Sequence, residues 1–143
     1  MECSACTRIA AIGEGTNRDF VATLSESHVT LADEQRYRGY CILLLKDHHE
    51  HLDALPVDRQ RRLWDDVTRV ATALRRETQP VRLNYACLGN FVGHVHWHVI
   101  PRYADDPEPL HPIWVRPLSE RRFVLPVTEH ERLVGALRRA LGR

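Results

Sequence analysis

Apolar and polar positions alternate, run together or recur at helical spacing along the chain, and each pattern predicts a different element. His28–Ala32 alternates polar and apolar residues, as a half-buried strand does. Tyr40–Lys46 is a nearly continuous apolar run, which suits a strand covered on both faces. His94–Arg102 alternates strictly at its start and contains Pro101 near its end, and Val81–Cys87 is rich in strand-favouring residues after Pro80. Asp19–Thr23 is a fifth strand candidate.

Between the strands the period changes. Leu63, Trp64, Val67, Val70, Ala71 and Leu74 form one apolar stripe at helical spacing, so a helix is expected over Pro56–Thr78, with Pro56 in the first turn where its missing N–H costs nothing. A second helix is expected over Thr128–Leu141, with Thr128 and Glu131 as a capping box and Leu133, Val134, Leu137 and Leu141 as its buried face. A short helical turn is expected near Cys6–Ala11, and Ala104–Pro117, which holds four of the eight prolines, reads as a surface arm. Strands, helix, strands, helix with short links favour an α+β domain around an antiparallel sheet of about five strands.

A chain of 143 residues, 43% apolar, is the size of one domain with a core of its own. Twenty basic against nineteen acidic side chains leave a net charge of +1, so no general field draws the protein to a nucleic acid polymer or a membrane surface. The apolar run Cys41–Leu45 is far too short to span a bilayer and no signal-peptide pattern is present, so a cytoplasmic protein with reduced cysteines is expected. Cys41 and Cys87 read as packed core thiols, and the Cys3-x-x-Cys6 pair points to metal or redox chemistry.

Six of the nine histidines lie in two short stretches, His48, His49 and His51, then His94, His96 and His98. On a strand the period is two, so His94, His96 and His98 are expected on one face, roughly 6.5–7 Å apart, with Val95, Trp97 and Val99 anchoring the other. An imidazole is substantially unprotonated near neutral pH and can attack phosphorus, while neighbouring imidazoles hydrogen-bond the phosphoryl oxygens. A histidine-rich surface strand, or a face in which all three bind metal, are the other readings of the same row.

His94-Val95-His96-Trp97-His98-Val99-Ile100 resembles the signature of the histidine triad (HIT) family, and the resemblance extends through Leu83–Asn90, Pro101–Tyr103 and Arg38–His48, over roughly residues 15–115. It implies a single HIT-like domain, with residues 15–115 as core, 1–14 as an N-terminal zinc-tethered segment and 116–143 as a C-terminal arm and helix. It also implies a homodimer acting on nucleotides, with His96 as nucleophile, His98 on the phosphate, and Asn84, Gly89 and Asn90 as phosphate-binding counterparts. Asn90 stands where the family usually has Gln, in a loop about one residue shorter. Asp33 is the implied contact to the ribose hydroxyls, although an Asp in a strand-end turn is usually only a turn residue. The activity implied is hydrolysis or transfer at the α-phosphorus of dinucleoside polyphosphates or nucleoside phosphoramidates; a non-catalytic nucleotide-binding module is the alternative.

Cys3 and Cys6 have the spacing of two ligands to one tetrahedral ion. His48 and His94 are the candidates for the other two, on chemical grounds and because some bacterial relatives combine such a pair with a distant His and the first His of the triad. A structural Zn2+ that ties the N-terminus to the sheet is therefore expected; two free thiols are the alternative. Trp114, in the Pro-rich arm, is either a contact to the leaving group or partner subunit, or a plain surface anchor.

Overall fold

The computed structural model describes residues 2–142. Its elements run α1 (Ser4–Gly13), β1 (Phe20–Thr23), β2 (Ser27–Leu31), β3 (Cys41–Leu45), α2 (Val57–Thr78), β4 (Arg82–Ala86), β5 (His96–Arg102), α3 (Leu118–Arg121) and α4 (Val127–Leu141). The strands form one antiparallel sheet in the order β1-β2-β3-β5-β4, which makes this a single α+β domain.

Helices α2 and α4 pack against each other and cover one face of the sheet. The stripe of α2 is buried there through Leu63, Val67, Val70, Ala71 and Leu74, and α4 adds Leu133, Val134, Leu137 and Leu141. They meet Val29, Leu31, Leu43 and Val99 from the strands. Trp64 stays half-exposed at the rim, against Trp97 and Tyr85. Helix α2 stops where Gln79 takes a left-handed conformation (φ 50°) and donates its N–H to Arg75 O, immediately before Pro80.

Several local expectations change. Helix α1 is a full ten residues where the sequence suggested a turn. The capping box does not form: α4 begins at Val127 with Pro126 as N-cap, so Thr128 already lies inside the first turn and no side chain caps it. Pro56 is likewise the N-cap of α2, one position before the first turn. Cys41 is buried, but Cys87 is exposed because it lies just beyond the end of β4. The arm after Tyr103 is pinned to the domain. Buried Arg102 donates to the His111 and Glu108 carbonyls at 2.7 Å and pairs with Asp106, and Ile113 is fully buried beneath it.

Candidate active site

Strands β3 and β5 are neighbours, and their register places Leu44 opposite His96 and Ile42 opposite His98. Cross-strand partners share a face, so these four side chains lie together on the side away from α2 and α4. They help line a cavity of ≈ 290 Å³ whose other walls are Ser4, Ala5 and Arg8 of α1, the loop Leu88–Val92, and Trp114 of the arm. That volume sits near the lower end of small-molecule sites, about 300 Å³.

Each imidazole is held by a specific partner. His96 Nδ1 lies 2.6 Å from the main-chain carbonyl of His94. A carbonyl only accepts, so Nδ1 carries a proton, and in the neutral ring the lone pair is on Nε2. His98 Nδ1 lies 2.6 Å from the Tyr40 hydroxyl, and its ring packs edge-on against His96 and Trp114, with centroids 4.9 and 5.3 Å away. Burial, with a smaller contribution from His96, pulls the His98 pKa down to about 4, so this ring is neutral at pH 7. Burial pushes the Tyr40 hydroxyl well above its ordinary range.

The row of three histidines divides. Strand β5 starts at His96, and His94 lies just before it, fully buried and outside the cavity lining. Its Nε2 donates to Leu45 O at 2.8 Å, which leaves the Nδ1 lone pair facing Cys3 and Cys6 Sγ at 3.6 and 3.5 Å. Cys6 Sγ is also 3.5 Å from His48 Nδ1. All four donor atoms lie within 4.8 Å of one another, so Cys3, Cys6, His48 and His94 are positioned to bind a metal. Zn–S bonds near 2.3 Å and Zn–N bonds near 2.0–2.1 Å at tetrahedral angles require S···N edges of about 3.6 Å, so the donor set and its spacing fit zinc. The Leu45 carbonyl supplies the outer contact that orients a metal-binding imidazole. His49 and His51 stand outside this group; His49 Nε2 is 2.8 Å from Asp47.

Of the remaining candidates, Gly89 (φ 81°) and Asn90 line the cavity beside His96. Asn84 does not, because its Oδ1 accepts from Arg102 at 2.7 Å and the side chain is committed to holding the arm. Asp33 is also outside the lining; its carboxylate pairs at 3.2 Å with Arg8, which among the described residues is the one of fixed charge that lines the cavity. Tyr40 and Arg8 were not singled out by the sequence. Tyr40 does sit at the same parity as Ile42 and Leu44, which was a readable signal once β3 and β5 were paired.

A family model described as "HIT domain" matches residues 15–105. An uncharacterized HIT-like protein of Methanocaldococcus jannaschii is 31% identical over 77 residues, which are 51% of this chain and 60% of that protein, so the match spans less than two thirds of its length. The crystal structure of a histidine triad protein from Bradyrhizobium japonicum superposes with a TM-score of 0.77 at 28% identity, covering 86% of this chain and 91% of that one. A zinc-bound histidine triad family protein from Mycobacterium smegmatis shares the fold, with a TM-score of 0.71 at 23% identity over 99% of this chain and 94% of its own.

Proposed function

Because the chain belongs to the HIT family, we propose that it hydrolyses or transfers nucleotidyl groups at the α-phosphorus of nucleoside phosphate derivatives, with His96 as the catalytic nucleophile. Dinucleoside polyphosphates and nucleoside phosphoramidates are the substrate classes. The observation that carries this reading is the bond from His96 Nδ1 to His94 O, which puts the lone pair of the neutral ring on Nε2 of a residue that lines an open cavity.

In the proposed reaction the Nε2 lone pair forms a P–N bond while the bond from phosphorus to the bridging oxygen or nitrogen breaks. The bonding pair goes to the leaving group. Water then attacks the nucleotidyl-histidine, the P–N pair returns to Nε2, and the proton that water loses goes to solvent; with a phosphoramidate it balances the proton the departing amine takes up. His98 contacts the phosphoryl oxygens, and Gly89 and Asn90, on the adjoining loop, are the further phosphate contacts. The apolar surface of Ile42, Leu44 and Ala5 suits the nucleoside. Asn84 serves this site by steadying the arm through Arg102, and Asp33 reaches it only through Arg8.

A zinc ion on Cys3, Cys6, His48 and His94 is part of the same proposal, as a structural cross-link between α1 and the sheet. Four protein ligands fill a tetrahedral ion and leave no position for an activated water. A reducing, cytoplasmic setting keeps those thiols available. The homodimer belongs here too, supported by the edge strand β4 with half-exposed Tyr85 and Trp64 beside it.

The test is turnover of an adenylyl phosphoramidate and of a diadenosine polyphosphate by the wild type and by His96→Ala. Release of AMP that His96→Ala abolishes, with AMP affinity kept within about threefold, is the expected result; threefold corresponds to about 0.6 kcal/mol. AMP binding by the wild type with no turnover of either substrate replaces the enzyme with a nucleotide-binding module.

A further inference from the structure

Tyr40 has no role in the chemistry as derived so far, yet its hydroxyl is the partner of His98 Nδ1 at 2.6 Å. The tyrosine is 1% exposed and packed in the cluster of Tyr37, Ile42, Ile100 and Ile113. Its backbone is bracketed by Gln35, whose Nε2 donates to the Ala32 and Tyr40 carbonyls at 2.9 Å while its Oε1 accepts from Gly39 N at 2.9 Å. The hydroxyl is therefore held in place from two directions.

Two arrangements of the Tyr40–His98 bond are conceivable, and they are not equivalent. If His98 Nδ1–H donated to the hydroxyl oxygen, the hydroxyl hydrogen would need another acceptor. Among the described residues Tyr40 Oη has none besides His98. A buried hydroxyl hydrogen left without an acceptor carries its full desolvation penalty. That arrangement would also turn the Nε2 lone pair toward the negative oxygens of a bound phosphate. If instead Tyr40 O–H donates to Nδ1, every buried group is paired and Nε2 carries the hydrogen. With Nδ1 occupied, Nε2 is the ring nitrogen left to face the cavity that His98 lines.

Resting on the assignment of this cavity to nucleotidyl transfer, we propose that Tyr40 is a positioning residue: its hydroxyl donates to His98 Nδ1 and holds His98 in the Nε2–H form, so that a hydrogen-bond donor meets the phosphoryl oxygens as the His96–phosphorus bond forms. The phenol keeps its proton throughout. The P–N bond forms and the leaving-group bond breaks as before, and no atom of Tyr40 enters the balance.

The experiment has a spectroscopic and a kinetic arm, and uses full-length wild type and Tyr40→Phe, a change that removes only the hydroxyl. Long-range 15N–1H correlation spectra of the imidazoles read the His98 form in the protein alone. The wild type is expected to carry its hydrogen on Nε2, and Tyr40→Phe to show Nδ1–H or a mixture. With substrate, Tyr40→Phe is expected to lower kcat about 10- to 100-fold, the scale of a lost tautomer-setting or supporting contact, with KM changed less than threefold. A wild-type spectrum with the hydrogen on Nδ1 overturns the inference without any variant being folded. So does a Tyr40→Phe spectrum unchanged from wild type, or a loss confined to KM. Absence of turnover by the wild type fails the nucleotidyl-transfer reading and the kinetic arm with it, a result distinct from the spectroscopic one, which needs no substrate.

Discussion

The main-chain carbonyl of His94 accepts the Nδ1–H of His96 at 2.6 Å, while the His94 imidazole itself faces Cys3 and Cys6. One residue thus joins the two sites. Its side chain belongs to the metal cluster and its backbone orients the neighbouring ring. The same cluster includes the cysteines that flank Ser4 and Ala5, so whatever fixes it also fixes the α1 wall of the cavity.

Loss of a thiolate ligand therefore reaches beyond the N-terminus. Cys3→Ser is expected to reduce bound zinc from one per chain to well below that. Loss of that cross-link is expected to cost on the order of 3 kcal/mol, the scale of a removed covalent cross-link, and so to lower Tm by roughly 10 °C for a domain of this size. Elemental analysis of the purified protein and a thermal melt read both quantities. Full zinc occupancy with an unchanged melt in the variant removes the metal assignment.

His98 gives the fold a pH dependence of defined sign. Burial, and then His96, depress its pKa to about 4 in the folded state against about 6.5 in the unfolded chain. Between those values the unfolded chain binds more protons, so stability rises with pH across that window and falls on acidification, by about 3 kcal/mol at most. The His94 pKa is also lowered, burial being the largest cause, so its protonation opposes folding in the same direction. The useful quantity is the difference between wild type and His98→Gln in urea midpoints at pH 7, 5.5 and 4. The wild type should lose more stability than the variant as pH falls; parallel losses contradict the assignment to His98.

The sheet and its two main helices were legible because each rests on periodicity, and the five strands and α2 lie within two residues of where the pattern puts them. His96 and His98 were legible for the same reason, since period two and a paired β3 put both on one face. His94 was named as a metal ligand on zinc's acceptance of imidazoles and on the family resemblance, but its burial outside the cavity was not legible, because the Leu45 carbonyl and the surrounding packing decide it. Asn84 and Asp33 are captured by Arg102 and Arg8, partners 18 and 25 residues away, and no local pattern announces such pairs. Cys87 looked apolar by its neighbours, yet the end of β4 leaves it in solvent. Tyr40 reads in the sequence only as the start of an apolar strand; its contact with His98 comes from the pairing of β3 with β5.

Trp114 stands beside His98 at the cavity wall while remaining 37% exposed, and the arm that carries it is anchored by buried Ile113. Trp114→Ala is therefore expected to leave folding stability within about 1 kcal/mol of wild type. It should weaken AMP binding about 5- to 10-fold, the scale of one lost aromatic contact. Calorimetric titration with AMP measures the second effect. Unchanged affinity makes Trp114 a surface anchor and nothing more.

A last prediction concerns a carboxylate far from the chemistry. Asp66, on α2, is 1% exposed and accepts from Ser25 N at 3.2 Å, Glu26 N at 2.8 Å and Ser27 Oγ at 2.8 Å. It closes the turn between β1 and β2 onto the helix, and among the described residues no other side chain takes these three donors. Removing it leaves buried donors without acceptors, a larger penalty than the net worth of the bonds themselves. Asp66→Ala is expected to cost about 3 kcal/mol in urea unfolding, and Asp66→Asn somewhat less, since its amide oxygen keeps one acceptor while its NH2 meets a donor. Because Asp66 does not line the cavity, AMP affinity of the folded variants should stay within about twofold of wild type, under 0.5 kcal/mol. A loss below about 1 kcal/mol for Asp66→Ala would mean that solvent satisfies the turn and that the helix-to-turn clamp contributes little.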